Sequence, residues 1–214
     1  MQGLAWPPCP APPRPRGRHL ALAGALVLLG CPAEPPGAAP PATALQAWCP
    51  IDPTAAPEHA RAVARAETAR NALTGALSAR LQAALAEGGP VAAIGVCQDE
   101  APRIAAEVAA AQGVAIGRTA ARLRNPGNAA PSWAADEVAR GREGPWFATG
   151  PEGRLAALYP LRTAPLCVTC HGPAGGLAPA VREALAARYP RDAATGFAPG
   201  DLRGWVWVEV PRAP

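Results

Sequence analysis

The chain contains no lysine, a single methionine (Met1), and only three histidines, His19, His59 and His171. It holds one C-x-x-C pair and no second one, so a zinc ribbon or finger is short of ligands. No stripe of basic residues interleaved with aromatics occurs, which leaves nucleic-acid binding without its electrostatic footprint. The apolar run Leu20 to Leu29 is too short for a membrane span. No internal repeat is visible, so solenoid and propeller architectures are set aside.

What is present fits one ordinary domain with an appended segment: 214 residues, half of them apolar. Arg14, Arg16, Arg18 and His19 form a positive region ahead of Leu20 to Leu29, the arrangement of a secretory signal. Leu28-Leu29-Gly30-Cys31 resembles the bacterial lipoprotein signal, in which the cysteine becomes the lipid-bearing first residue. The alternative is ordinary cleavage nearby and release of a soluble protein. Either way the domain is expected on the periplasmic side of a bacterial membrane, anchored through a lipid on Cys31 in the first case. Removing the three leader arginines from the 20 leaves 17 against 16 acidic residues, so the mature protein is near neutral. Residues 32–52 begin with a Pro/Ala-rich stretch that cannot build a core and reads as a tether. A dozen such residues in a polyproline conformation reach roughly 35–40 Å. Residues 53–214 are expected to form a single domain.

A long helix is predicted from Pro57 to Glu87, with Leu73, Leu77, Leu81 and Leu85 as its apolar stripe and Gly88-Gly89-Pro90 as its end. A second helix follows from Val91 to Gly113. At 100° per residue it places Ile94, Cys97, Ala101, Ile104 and Val108 on one face, with Pro102 as a point of bending. A short strand is expected over 114–119, a loop at Arg124-Asn-Pro-Gly-Asn128 and a short helix from Ser132 to Arg140. Trp146–Thr149 and Leu155–Leu161 pattern as a hairpin around Gly150-Pro-Glu-Gly153. A helix over 178–189 and an alternating strand over 204–210 complete the chain. Helices first, then a small antiparallel sheet, predicts the α+β class.

Between the hairpin and the last helix stands Cys167-Val-Thr-Cys170-His171. C-x-x-C-H is the spacing at which two thiols attach one porphyrin while the adjacent imidazole binds its iron, so it points to one covalently bound haem c. A dithiol redox pair is the main alternative. It would open a helix after a buried strand, whereas Gly172, Pro173, Gly175 and Gly176 follow at once. With His171 on one side of the iron, the sixth position cannot be filled by lysine or by an internal methionine, because neither exists. His59, Cys49, Cys97, Tyr159, Tyr189 and an exogenous ligand remain. His59 falls in the polar first turn of a helix, where exposure is the ordinary expectation. Cys97 faces inward, as a ligand or as a small buried residue. A Cys49–Cys97 disulfide is a further alternative in an oxidising compartment.

Pro90-Val-Ala-Ala-Ile-Gly-Val-Cys97, Ile116-Gly-Arg-Thr119, Arg124-Asn-Pro-Gly-Asn128 with Trp133, Tyr159-Pro160 and the haem motif with Gly172 form an ordered series. Tyr189-Pro-Arg-Asp192 and Gly200-Asp-Leu-Arg-Gly204 complete it. This series resembles the Tll-like family of c-type haem domains over Pro57 to Val210. The resemblance implies a PAS-like fold, with a small antiparallel sheet flanked by helices and a long helix ahead of it. It also implies that Cys97 is a thiolate ligand opposite His171. The sequence departs from that pattern in a shortened stretch between Trp133 and the hairpin.

Thiolate ligation favours ferric iron and predicts a low reduction potential. Arg118 and Arg124 are candidates to fork onto the haem propionates, the alternative being ordinary surface arginines. The expected role is electron transfer with a redox partner protein outside the cytoplasm. A redox or gas sensor is the second reading. The chain ends at Pro214 with no output segment, so a sensor would act through a separate partner. An enzyme is not expected, since no distal acid/base group is evident.

Overall fold

A computed structural model describes residues 48–213. The leader, Cys31 and most of the proposed tether lie outside the described residues. Trp48 leads into strand β1 (Cys49–Pro50), followed by helix α1 (Pro57–Gly95), a π turn (Val96–Glu100) and helix α2 (Ala101–Gln112). Strand β2 (Ala115–Thr119), helix α3 (Ala135–Ala139), strands β3 (Trp146–Thr149) and β4 (Leu155–Arg162), helix α4 (Val168–His171), helix α5 (Pro179–Arg188) and strand β5 (Leu202–Val210) complete the order.

Pro57 opens α1, where its missing N–H costs nothing. The face it buries is Val63, Ala66, Ala69 and Leu73, spaced three and four residues apart, and Leu77 continues the stripe half-buried. The helix breaks its geometry where the sequence expects an end. Gly88 leaves the helical region, Gly89 takes φ 68° and ψ −165°, a conformation only glycine adopts without strain, and Pro90 follows. The chain then turns helical again through Ile94 and widens into the π turn just ahead of Pro102. Gly113, at φ 60°, closes α2 with its N–H on the carbonyl of Ala109.

The five strands form one antiparallel sheet in the order β1-β3-β4-β5-β2. The expected hairpin is β3–β4, and β5 runs between β4 and β2. Period-two alternation splits the sheet into two faces. Leu155, Ala157, Tyr159, Val206, Val208, Val210 and Ile116 pack beneath α1 and α2. Ala148, Ala156, Leu158, Trp146 and Trp205 pack on the other side against Ala134 and Val138, with Trp48 and Trp133 beside them. At the edge, Gly117 faces Trp207 in register, and a Cβ there would fall 2.6 Å from the indole. Glycine is what lets that ring lie across β2.

The α+β class, the long first helix and the sheet flanked by helices are as the sequence predicts. Strand β1 is an addition. Among the described residues no helix is long and apolar enough to cross a membrane.

Candidate functional site

The motif is built on a single turn. A 3-10 turn (Pro165–Cys167) runs into α4, which Gly172 ends with its N–H on the carbonyl of Val168 at 2.9 Å. A Cβ at position 172 would lie 2.6 Å from that same oxygen. The glycine therefore permits the turn to close and to release the chain at once, leaving Cys167, Cys170 and His171 on one short arc, all half-buried.

The loop after α5 returns to this arc. Gly196 and Phe197 donate their N–H groups to the carbonyls of Gly172 and His171 at 2.8 and 2.9 Å. His171 Nδ1 lies 2.7 Å from the carbonyl of Ala194 and 3.3 Å from Nε of Arg203. Only one of these can be a hydrogen bond to that nitrogen: the short contact to a carbonyl requires Nδ1–H as donor, and a guanidinium N–H then finds no acceptor there. This tautomer leaves the Nε2 lone pair available to a metal. Burial, followed by the cations of Arg203 and Arg124, pulls the imidazole pKa down to about 3, so the ring is neutral under ordinary conditions.

Arg124 is buried beside the motif. Its Nε donates to Asp192 Oδ2 at 3.0 Å, and its Nη2 donates to the carbonyls of Cys170 at 2.6 Å and Ala194 at 3.1 Å. Asp192 Oδ1 in turn accepts the N–H of Ala194 at 2.8 Å. The pair thus ties the motif to the carbonyl that orients His171. Arg124 is neither a surface arginine nor an open fork, because most of its donors are already spent.

Cys97 arrives from the other half of the chain. It sits in the π turn, which a bidentate pair between Arg80 and Glu100, both contacts at 2.9 Å, holds against α1. The thiol is free, which excludes the disulfide with Cys49. Burial raises its pKa, while Arg118, Arg124 and Arg203 act in the opposite sense and Cys167 adds to the rise. Burial likewise raises Cys170, with Cys97 again among its neighbours. The structure therefore brings Cys97, Arg118, Arg124, Cys167, Cys170 and His171 into one electrostatic neighbourhood. Ile94 and Cys170 share an apolar cluster with Leu177, Val181, Leu185 and Tyr189, which packs the end of α1 onto α5.

Arg118 points from β2 on the helix-covered face. It makes no hydrogen bond or ion pair among the described residues. Burial holds its pKa below the usual arginine value, with Cys97 and Tyr189 as its nearest electrostatic partners. His59 is at the opposite end of α1. The Arg80–Glu100 pair fixes the π turn beside residue 80, and at about 1.5 Å per residue that lies about 30 Å along the helix from His59. Tyr159 is also remote in role, its ring packed beneath α1 under Arg70 and against Phe147.

Sequence reasoning missed Asp192, Arg203, Phe197 and Arg122. The Arg122 guanidinium covers the Phe197 ring at 3.8 Å, and Phe197 meets His171 edge-on at 6.3 Å. Asp192 and Arg203 do stand in two of the runs that carry the family resemblance. A family model described as Tll0287-like matches residues 53–211. The chain is similar to the crystal structure of the cyanobacterial heme-protein Tll0287, with 25% identity and a TM-score of 0.50, over 74% of this chain and 98% of that one. No curated protein matches it.

Proposed function

The chain belongs to the Tll0287-like family, and from that premise we propose that it is an exported monohaem c-type protein that carries electrons, with no enzymatic activity of its own. The residues suit the group. A neutral imidazole with its Nε2 free, three thiols in one neighbourhood and a half-buried guanidinium without a hydrogen-bond partner are the donors and the counter-charge that a haem requires. In this reading Cys167 and Cys170 would hold the haem covalently, His171 and Cys97 would ligate its iron, and Arg118 would bind a propionate. A bound haem supplies a one-electron iron couple, and thiolate ligation sets it at low potential.

The observation that carries the reading is the presence of Cys97, a free thiol ringed by Arg118, Arg124 and Arg203, at the motif. The chain's own part is to keep His171 neutral through burial, to orient it through Ala194, and to surround the thiol with cations that favour its ionised form. The leader supports export, Cys31 is the proposed lipid anchor, and an unidentified redox protein is the proposed partner. Production in a host with haem-maturation machinery tests the first step: a coloured protein whose mass exceeds its polypeptide is expected, and a colourless one rejects the reading. Electron paramagnetic resonance tests the ligands. The low-spin thiolate signal is expected to vanish in Cys97→Ala and to survive in His59→Ala.

One observation favours a second reading as a sensor. Burial raises the pKa of the free Cys97 thiol despite the surrounding arginines, so a proton would compete with iron for this sulfur. Carbon monoxide added to the reduced protein separates the two. An unchanged spectrum supports a carrier, and rapid ligand exchange supports a gas sensor.

A further inference from the structure

Arg118, Arg124 and Arg203 lie within electrostatic reach of one another. The one carboxylate placed among them, Asp192, forms its ion pair with Arg124. Two half-buried guanidiniums are therefore left without a carboxylate in contact. Arg118 has no hydrogen-bond partner among the described residues. Arg203 makes only long contacts: Nη1 lies 3.3 Å from the carbonyl of Arg122, and Nε lies 3.3 Å from a nitrogen of His171 that already donates to Ala194. Its guanidinium otherwise rests 5.3 Å from the Phe197 ring.

A cation held away from water without a counter-charge is costly, and such a position is kept where an anion arrives to neutralise it. The two uncompensated cations are also distributed in a telling way, one beside Cys97 and the other beside His171. A haem seated between those residues brings two carboxylates. We propose that Arg203 and Arg118 form a two-guanidinium clamp for the haem propionates, and that Arg124 is a positioning residue for His171 and takes no propionate. This inference rests on the haem reading above and deepens it. It replaces Arg124 with Arg203 as the second propionate partner, and it assigns the Gly-Asp-Leu-Arg-Gly run at the start of β5 a task in holding the cofactor. An arginine suits that task because its planar fork meets a carboxylate with two parallel hydrogen bonds.

The test uses the full-length, haem-loaded chain with Arg118→Gln, Arg203→Gln and Arg124→Gln, and reads the propionate bending band by resonance Raman spectroscopy. The band is expected to shift in Arg118→Gln and Arg203→Gln and to stay in place in Arg124→Gln. An unmoved band in Arg203→Gln overturns the clamp, and so does a shift of equal size in Arg124→Gln. If Arg203→Gln does not accumulate, Arg203→Lys carries the same measurement. A point charge in place of the fork still shifts the band if the contact exists, and an unmoved band again overturns it. A preparation with no haem absorbance or added mass would instead defeat the underlying haem reading, so the two failures are distinct.

Discussion

Asp192 and Arg124 form a buried pair whose value lies in what it aligns. Both are about nine-tenths covered, and the arginine reaches two backbone carbonyls that belong to the motif and to its supporting loop. Breaking such a pair strands a charge in the interior, which typically costs several kcal/mol. Arg124→Gln is expected to destabilise the domain by about 3 kcal/mol in denaturant unfolding. It should also broaden the low-spin resonance, because the carbonyl of Ala194 would no longer be held at a fixed place for His171. Destabilisation with an unchanged resonance would show that the pair supports only the fold. At this scale the arc that gathers Cys167, Cys170 and His171 was legible in the sequence, since five consecutive residues carry it. The role of Arg124 was not legible, because its acceptors include two carbonyls that every residue possesses and only the folded backbone selects.

Among the elements, the break at Gly88-Gly89-Pro90 was readable because glycine and proline act locally, whatever packs against them. The π turn that carries Cys97 was not, since nothing in Val-Cys-Gln-Asp-Glu specifies a wider turn. It is held by the tertiary pair of Glu100 with Arg80. Strand β1 escaped for a similar reason. Two residues show no periodicity, and Cys49 and Pro50 become a strand only through register with Thr149 and Ala148. The edge strand β2 connects element to site, with Gly117 under the Trp207 indole and Arg118 directed to the opposite face. Gly117→Ala would force a methyl into a ring 2.6 Å away. A cost of about 1–3 kcal/mol is expected in denaturant unfolding, as for other overpacked positions. The haem-loaded variant should also show a displaced propionate band, because β2 carries Arg118. A neutral effect on stability would mean that the ring moves aside freely.

For the whole molecule, the neutral His171 couples folding to pH. Its folded pKa of about 3 lies below the unfolded value of 6.5, so the unfolded chain binds a proton that the folded one refuses. The associated stability is complete above pH 6.5, declines as pH falls below it, and is lost once pH drops through about 3. The slope is at most about 1.4 kcal/mol per pH unit. A haemless preparation is expected to show falling thermal midpoints from pH 6.5 downward, and His171→Gln should flatten that decline. An equal decline in His171→Gln would assign the acid sensitivity to other groups.

Cys97 and His171 stand 74 positions apart in the chain, the first on the helical half and the second beyond the hairpin. Iron joining them would act as a staple between the two halves, closing a loop that an unfolded chain would otherwise explore freely. For a permanent cross-link over that span, chain entropy alone is worth about 4 kcal/mol. Because one end of this staple would be a metal–sulfur bond, a ligand that displaced Cys97 would loosen the domain mechanically as well as recolour it.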